Sequence, residues 1–161
     1  MRIWEMECTQ FVGPMPADGM PAPGSLDWEA STSGLEDAWK PDLARATHLT
    51  GRNDGFRIAP IRGKPGCLLL HDGASKWVGF YDSQLLQLHD DPQYRRRGLA
   101  EELIICAWTT RPLELDMTRT LVDSSRKAFI RAHEIAVRRA HARLEAVPPN
   151  VLAEYGLTPL V

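Results

Sequence analysis

Three consecutive arginines, Arg95, Arg96 and Arg97, stand directly before Gly98, and the apolar residues Leu99, Leu103, Ile104 and Ala107 that follow recur at helical spacing. Guanidinium groups supply permanent charge and fork-shaped donors. Gly98 lets the backbone come close to a ligand. The first N–H groups of a helix have no partner inside it and lie at the positive end of its dipole. These types in this order suit phosphate. An arginine triplet equally suits a solvated face or a nucleic-acid patch. Just upstream stand His89, Asp90 and Asp91. Strand alternation sends Asp90 to one face and His89 and Asp91 to the other; each is a candidate general base, and each is also readable as a turn-capping acid or a surface histidine.

The elements that must position these groups are readable around them. Leu85 to Trp108 reads as a short strand, a turn at Asp91-Pro92, the basic loop, and a helix opening near Gly98. Before it, Phe56 to Pro60 alternates as a strand, Gly63 to Gly66 turns the chain, and Cys67–His71 and Lys76–Tyr81 form a hairpin through Asp72-Gly73. Gly79 within that hairpin marks a bulge or a close backbone approach. After Trp108, Leu113, Leu115 and Met117 alternate with Glu114 and Asp116, which suits one further strand.

At these residues the chain resembles the GNAT acetyltransferase superfamily. The family's pyrophosphate motif is Arg or Gln, two residues, Gly, one residue, then Gly or Ala, and here it stands as Arg95-Arg96-Arg97-Gly98-Leu99-Ala100. Tyr94 before the motif, the strand ending in Asp91-Pro92 and the preceding hairpin are similar to the family in the same order, over roughly Phe56 to Ala140. The resemblance implies an α+β domain with a mixed, mostly antiparallel central sheet flanked by helices, and acetyl-CoA or another acyl-CoA as cofactor. It implies cofactor contacts from Leu88, His89 and Asp90 on the central strand and from Arg95, Arg96, Arg97, Gly98, Leu99 and Ala100 in the loop. The implied activity is N-acetyl transfer to an amine acceptor. Asp90 departs from the family, whose members place an apolar residue there, and an acid aimed into the cleft is a candidate general base. The family's late helix often carries a tyrosine that protonates the leaving thiolate. Ser125 to Ala140 holds none, leaving His133 and Ser124 or Ser125 as substitutes. A thiol with pKa near about 8.5 leaves adequately without such an acid. The stretches Ala132–Ala140 and Val147–Tyr155 are similar to GNAT-like proteins around phages and mobile elements. The two late strands of the family are not evident, so the sheet is shortened or is completed by another chain, as in a homodimer.

The remaining chain is read as follows. Trp4, Met6 and Cys8 alternate with Glu5, Glu7 and Thr9, which predicts a half-buried strand over Arg2 to Phe11. Residues 13–24 hold four prolines and three glycines and form a loop, either a flap near the acceptor or a surface excursion. Ser25 and Pro41 open two short helices, the second running through Leu43, Ala44, Ala46 and Leu49 to Gly51. Trp28 and Trp39 are placed in the core in preference to an acceptor pocket. Asp123 caps a basic amphipathic helix over 123–146, its apolar face running from Ala128 to Leu144 and its outer face bearing Arg126, Lys127, Arg131, Arg138, Arg139 and Arg143. Residues 147–161 form a tail in which Pro148-Pro149 stops the helix and Val151 to Tyr155 forms one more turn before Gly156.

With 161 residues and 43% hydrophobic content the chain fits one domain, 1–161. A net charge of -2 disfavours nucleic acid bound by bulk electrostatics and restricts such contact to a local basic face. Cys8, Cys67 and Cys106 lie in apolar stretches without metal-ligand spacing and read as buried reduced thiols. No apolar run reaches membrane-spanning length, and Glu5 and Glu7 stand where a signal peptide would be basic, so the expected compartment is the cytoplasm. Besides the transferase, two rival readings stand: a GNAT-fold interaction protein of phage or mobile-element origin without catalysis, and a small nucleic-acid-binding protein.

Overall fold

A computed structural model of the chain describes residues 2–13, 40–49, 54–63, 67–74, 76–81, 86–89, 91–110 and 123–159. In chain order the regular elements are a short 3-10 helix Ile3–Glu5, α1 (Cys8–Val12), a 3-10 helix Leu43–Arg45, and strands β1 (Thr47–His48), β2 (Arg57–Pro60), β3 (Leu68–His71), β4 (Trp77–Tyr81) and β5 (Leu86–Leu88). A 3-10 helix Pro92–Tyr94 follows, then α2 (Leu99–Thr110), α3 (Asp123–Ala142) and α4 (Pro149–Glu154). The chain divides into two compact units, one of Pro23–Thr110 and one of Met1–Ala22 with Arg111–Val161.

The first is a sheet unit. Its strands pair in sequence order, β1-β2-β3-β4-β5, all antiparallel. β1 is a two-residue edge, so β2 to β5 carry the sheet. Leu68, Leu69 and Leu70 are all buried, and α2 packs over β3, β4 and β5. The fold is α+β, an antiparallel open sheet packed against helices, as the sequence predicts. Leu70 pairs with Gly79 but His71 pairs with Trp77, which leaves Val78 as an extra residue. At this bulge a Cβ on Gly79 would lie 2.8 Å from Leu70 Cβ and 3.1 Å from Leu103 Cδ1, so glycine is what lets α2 sit down on the sheet.

Two expected elements differ. The segment from Pro41 is not a helix: Pro41 bridges Ile61, the Asp42 N–H donates to the Pro60 carbonyl at 2.8 Å, and Leu43 is exposed. Pairing along the sheet edge overrides an apolar spacing that sustains only the three 3-10 residues. The N-terminal segment is not a strand either. Ile3, Met6, Phe11 and Val12 are buried, and α1 opens on a capping box in which the Glu7 N–H donates to Gln10 Oε1 at 2.9 Å.

The second unit is helical. Ala128, Phe129, Ala132, Ala136, Val137 and Ala140 form the buried face of α3, and Phe11 packs on Phe129 with ring centres 5.6 Å apart. Val137, Val151 and Leu152 form a cluster bordered by Trp4, Val147, Tyr155 and Leu157. The helix ends at Ala142, earlier than the sequence predicts. The Glu145 N–H donates to the Ala140 carbonyl and the Leu144 N–H to the His141 carbonyl, a Schellman closure with Leu144 at φ 61. Leu144, expected on the apolar face, is therefore 74% exposed. The last helical turn stands before Gly156, at φ 66, as expected, but it is α4, which opens at Pro149, two residues earlier than the sequence predicts.

The expected helix from Ser25, Trp28, Trp39, residues 14–24, the strand over 113–117 and the side chains of Ser124 and Ser125 lie outside the described residues. Among the described residues no helix is long and apolar enough to cross a membrane.

Candidate functional site

The end of β5 is where the sheet unit gathers its chemistry. The His89 N–H donates to the Val78 carbonyl at 2.7 Å, so by the alternation of an antiparallel ladder the backbone of Leu88 faces away from β4. Arg95 Nη2 lies 3.5 Å from the Leu88 carbonyl on that outer side. The Asp91 N–H donates to His89 Nδ1 at 3.0 Å. A neutral His89 in this arrangement carries its proton on Nε2 and presents a donor there. The Asp91 carboxylate receives the Gln93 N–H at 3.1 Å and Gln93 Nε2 at 3.0 Å, and these bonds hold it below the usual carboxylate range. Asp91 thus caps the 3-10 turn from Pro92. Asp90 lies outside the described residues.

After the turn, Arg95, Arg96 and Arg97 are all exposed, whereas Leu99 is buried and Gly98 and Ala100 are half-buried. Arg96 has φ 56 and Gly98 has φ 71, both left-handed. Glycine adopts that conformation freely, but an arginine there costs about 1 kcal/mol. The Glu102 N–H donates to the Gly98 carbonyl at 3.1 Å, which opens α2 and leaves the N–H groups of Leu99, Ala100 and Glu101 without intrahelical partners.

The three arginines are not equivalent. Arg97 is committed to the protein: Nη2 lies 3.6 Å from Asp54 Oδ2, Nη1 donates to the Gln93 carbonyl at 3.4 Å, and the guanidinium carbon sits 5.0 Å from the Phe56 ring centre. Contacts of these kinds are worth about 0.5–1 kcal/mol each. For the side chain of Arg96 no partner stands among the described residues. Tyr94 is buried, meets the edges of Phe56 and His89, and donates to Asp72 Oδ2 at 3.5 Å. Burial and the neighbouring carboxylates push the Tyr94 phenol up.

Sequence reasoning missed Asp54, Phe56 and Asp72 as supports of this loop. No local pattern reports them, because they reach it through the fold from the segment before β2 and from the β3–β4 turn. It also missed that Glu101 and Glu102, in the first turn of α2, are 5% and 7% exposed. Their carboxylates partly compensate the helix dipole.

His133 belongs to the helical unit and is fully buried. Nε2 is 2.7 Å from the Met6 carbonyl, so it carries the proton, and Nδ1 accepts from the Tyr155 hydroxyl. Tyr155, which brings this phenol to His133, directly follows α4. Tyr155 also bonds Cys8, and burial first, then Cys8, raises its pKa. Burial likewise pushes the Cys8 thiol up. Glu154 receives the Cys8 N–H on both oxygens at 3.2 Å. The cysteines are half-buried and none is in a disulfide.

Compared with protein-family models, curated proteins and solved structures, the chain matches none. Its functional reading therefore rests on its own residues. At the opening of α2 three exposed arginines stand beside helix-opening N–H groups, with Gly98 in the left-handed region.

Proposed function

We propose that the chain is a cytoplasmic N-acetyltransferase of the GNAT type that binds acetyl-CoA or another acyl-CoA and acylates an amine. The observation that carries this reading is the order at the end of β5: edge strand, capped turn, three exposed arginines with left-handed Arg96 and Gly98, and the opening of α2. Arg95, Arg96 and the N–H groups of Leu99 and Ala100 would hold the diphosphate. Leu88, whose backbone faces the open side of β5, would offer its N–H to a carbonyl oxygen, a role that preorganised donors fill with large effect. Acetyl-CoA would supply an activated thioester. His89, as a fixed Nε2–H donor, suits orienting a polar group more than removing a proton. Three thiols outside disulfides suit a reducing compartment.

The test is calorimetric titration with acetyl-CoA of the wild type, Arg95→Ala and Gly98→Trp. The expected wild-type Kd is on the order of micromolar, with binding lost in both variants. Retained binding in Gly98→Trp would remove the loop assignment. Binding without transfer to any of a panel of amines would select the interaction protein, and salt-dependent capture of DNA or RNA without acetyl-CoA binding would select the nucleic-acid reading.

A further inference from the structure

We propose that Arg97 is not an anion ligand but a latch: with Asp54 and Phe56 it holds the Arg95–Gly98 loop in its ligand-ready shape and leaves Arg96 to meet the phosphate. The inference rests on the acyl-CoA reading of the loop and assigns its arginines separate tasks.

Two side chains tie the loop to the same support. Tyr94, just before it, packs its ring edge-on against Phe56 with centres 6.3 Å apart, and Arg97 lays its guanidinium over the Phe56 ring at 5.0 Å. Phe56 itself is 4% exposed and cannot move to follow a wandering loop. Asp54 Oδ2 and the Gln93 carbonyl take the two Nη atoms of Arg97, at 3.6 and 3.4 Å. The support is itself anchored, because the Tyr94 hydroxyl bonds Asp72 and Gly73 meets the Gly55 backbone so closely that no side chain fits between them.

Arg97 also lies between the two left-handed residues, Arg96 and Gly98. A free chain would leave that conformation at Arg96, so a contact must hold it. Arg97, next to it, has carboxylate, carbonyl and aromatic partners together. A phosphate calling on Arg97 would have to draw it from all three. A planar guanidinium can stack and bridge in this way, and an ammonium cannot.

The experiment compares full-length wild type, Arg97→Lys, Phe56→Leu and Arg96→Ala by acetyl-CoA titration and by the rate of trypsin cleavage after Arg95 and Arg96, with thermal melting confirming that each is folded. Arg97→Lys keeps the charge and Phe56→Leu removes none. Both are expected to speed cleavage after Arg95 about fivefold, since proteolysis follows local opening. Both are also expected to weaken acetyl-CoA binding about tenfold. Arg96→Ala should weaken binding as much without speeding cleavage after Arg95. Wild-type affinity in Arg97→Lys would make Arg97 an ordinary anion ligand and overturn the latch, as would unchanged cleavage in both latch variants. If no form binds acetyl-CoA, the function assigned to the loop falls while the cleavage rates still decide the latch.

Discussion

His133 and His89 show two uses of one side chain. His133, in the helical unit, is fully buried between Met6 and Tyr155, with both ring nitrogens bonded. His89, in the sheet unit, is half-buried, and the Asp91 N–H fixes its Nδ1. The helical unit turns its imidazole, phenol and thiol inward, where they join segments distant in sequence. The sheet unit keeps His89 half-buried and ties it to the next turn through Asp91. What separates the two is thus not residue type but depth of burial.

The sharpest test of that contrast is His133→Ala. It strands the Met6 carbonyl and the Tyr155 hydroxyl and leaves a cavity, for an expected loss of about 3–5 kcal/mol in denaturant unfolding. His89→Ala should cost about 1 kcal/mol, and an equal loss at both positions would break the comparison. Next in size, Gly79→Ala drives a Cβ against Leu70 and Leu103 and should cost about 1–3 kcal/mol, seen as a lowered melting temperature of the sheet unit.

Acid extends the comparison to protons. Burial lowers the pKa of His133, and of His71 in the sheet unit, from the ordinary 6.5. The unfolded chain then binds protons first as pH falls. Stability is complete above about pH 6.5 and declines below it, until the folded-state values are passed, by at most about 1.4 kcal/mol per pH unit per histidine. Unfolding midpoints measured from pH 7.5 to 5 should show this decline, and His133→Gln should remove the helical unit's share. The smallest effect is a gain: Leu144→Gly relieves a left-handed leucine at an exposed helix end and should add about 0.5–1 kcal/mol.

The hairpin and the loop were legible because their signals are local. Cys67–His71 and Lys76–Tyr81 alternate around a glycine turn, and Leu99 to Ala107 repeats at helical spacing behind Gly98, so β3, β4 and α2 form where the pattern puts them. Near the N-terminus two local patterns competed. Trp4, Met6 and Cys8 suggested a strand, but Glu7 and Gln10 close a capping box, and burial of Phe11 and Val12 rewards the helix. The C-terminal boundary of α3 was missed because a leucine does what a glycine usually does. The supports of the loop and the surroundings of His133 were illegible for another reason: Asp54 with Arg97, and Met6 and Tyr155 with His133, meet only through the fold.

The bond from the Cys8 N–H to Glu154 spans 146 residues of chain. Closing so long a loop in a disordered chain carries a length-dependent entropic cost of about 4–5 kcal/mol. The sheet unit, Pro23–Thr110, is continuous and lies wholly within that loop. Among the described residues its strands pair with neighbours in sequence, a pattern of low contact order. The helical unit is built from both flanks of the chain, so its defining contacts carry the long-range closure cost that the sheet unit's hairpins avoid.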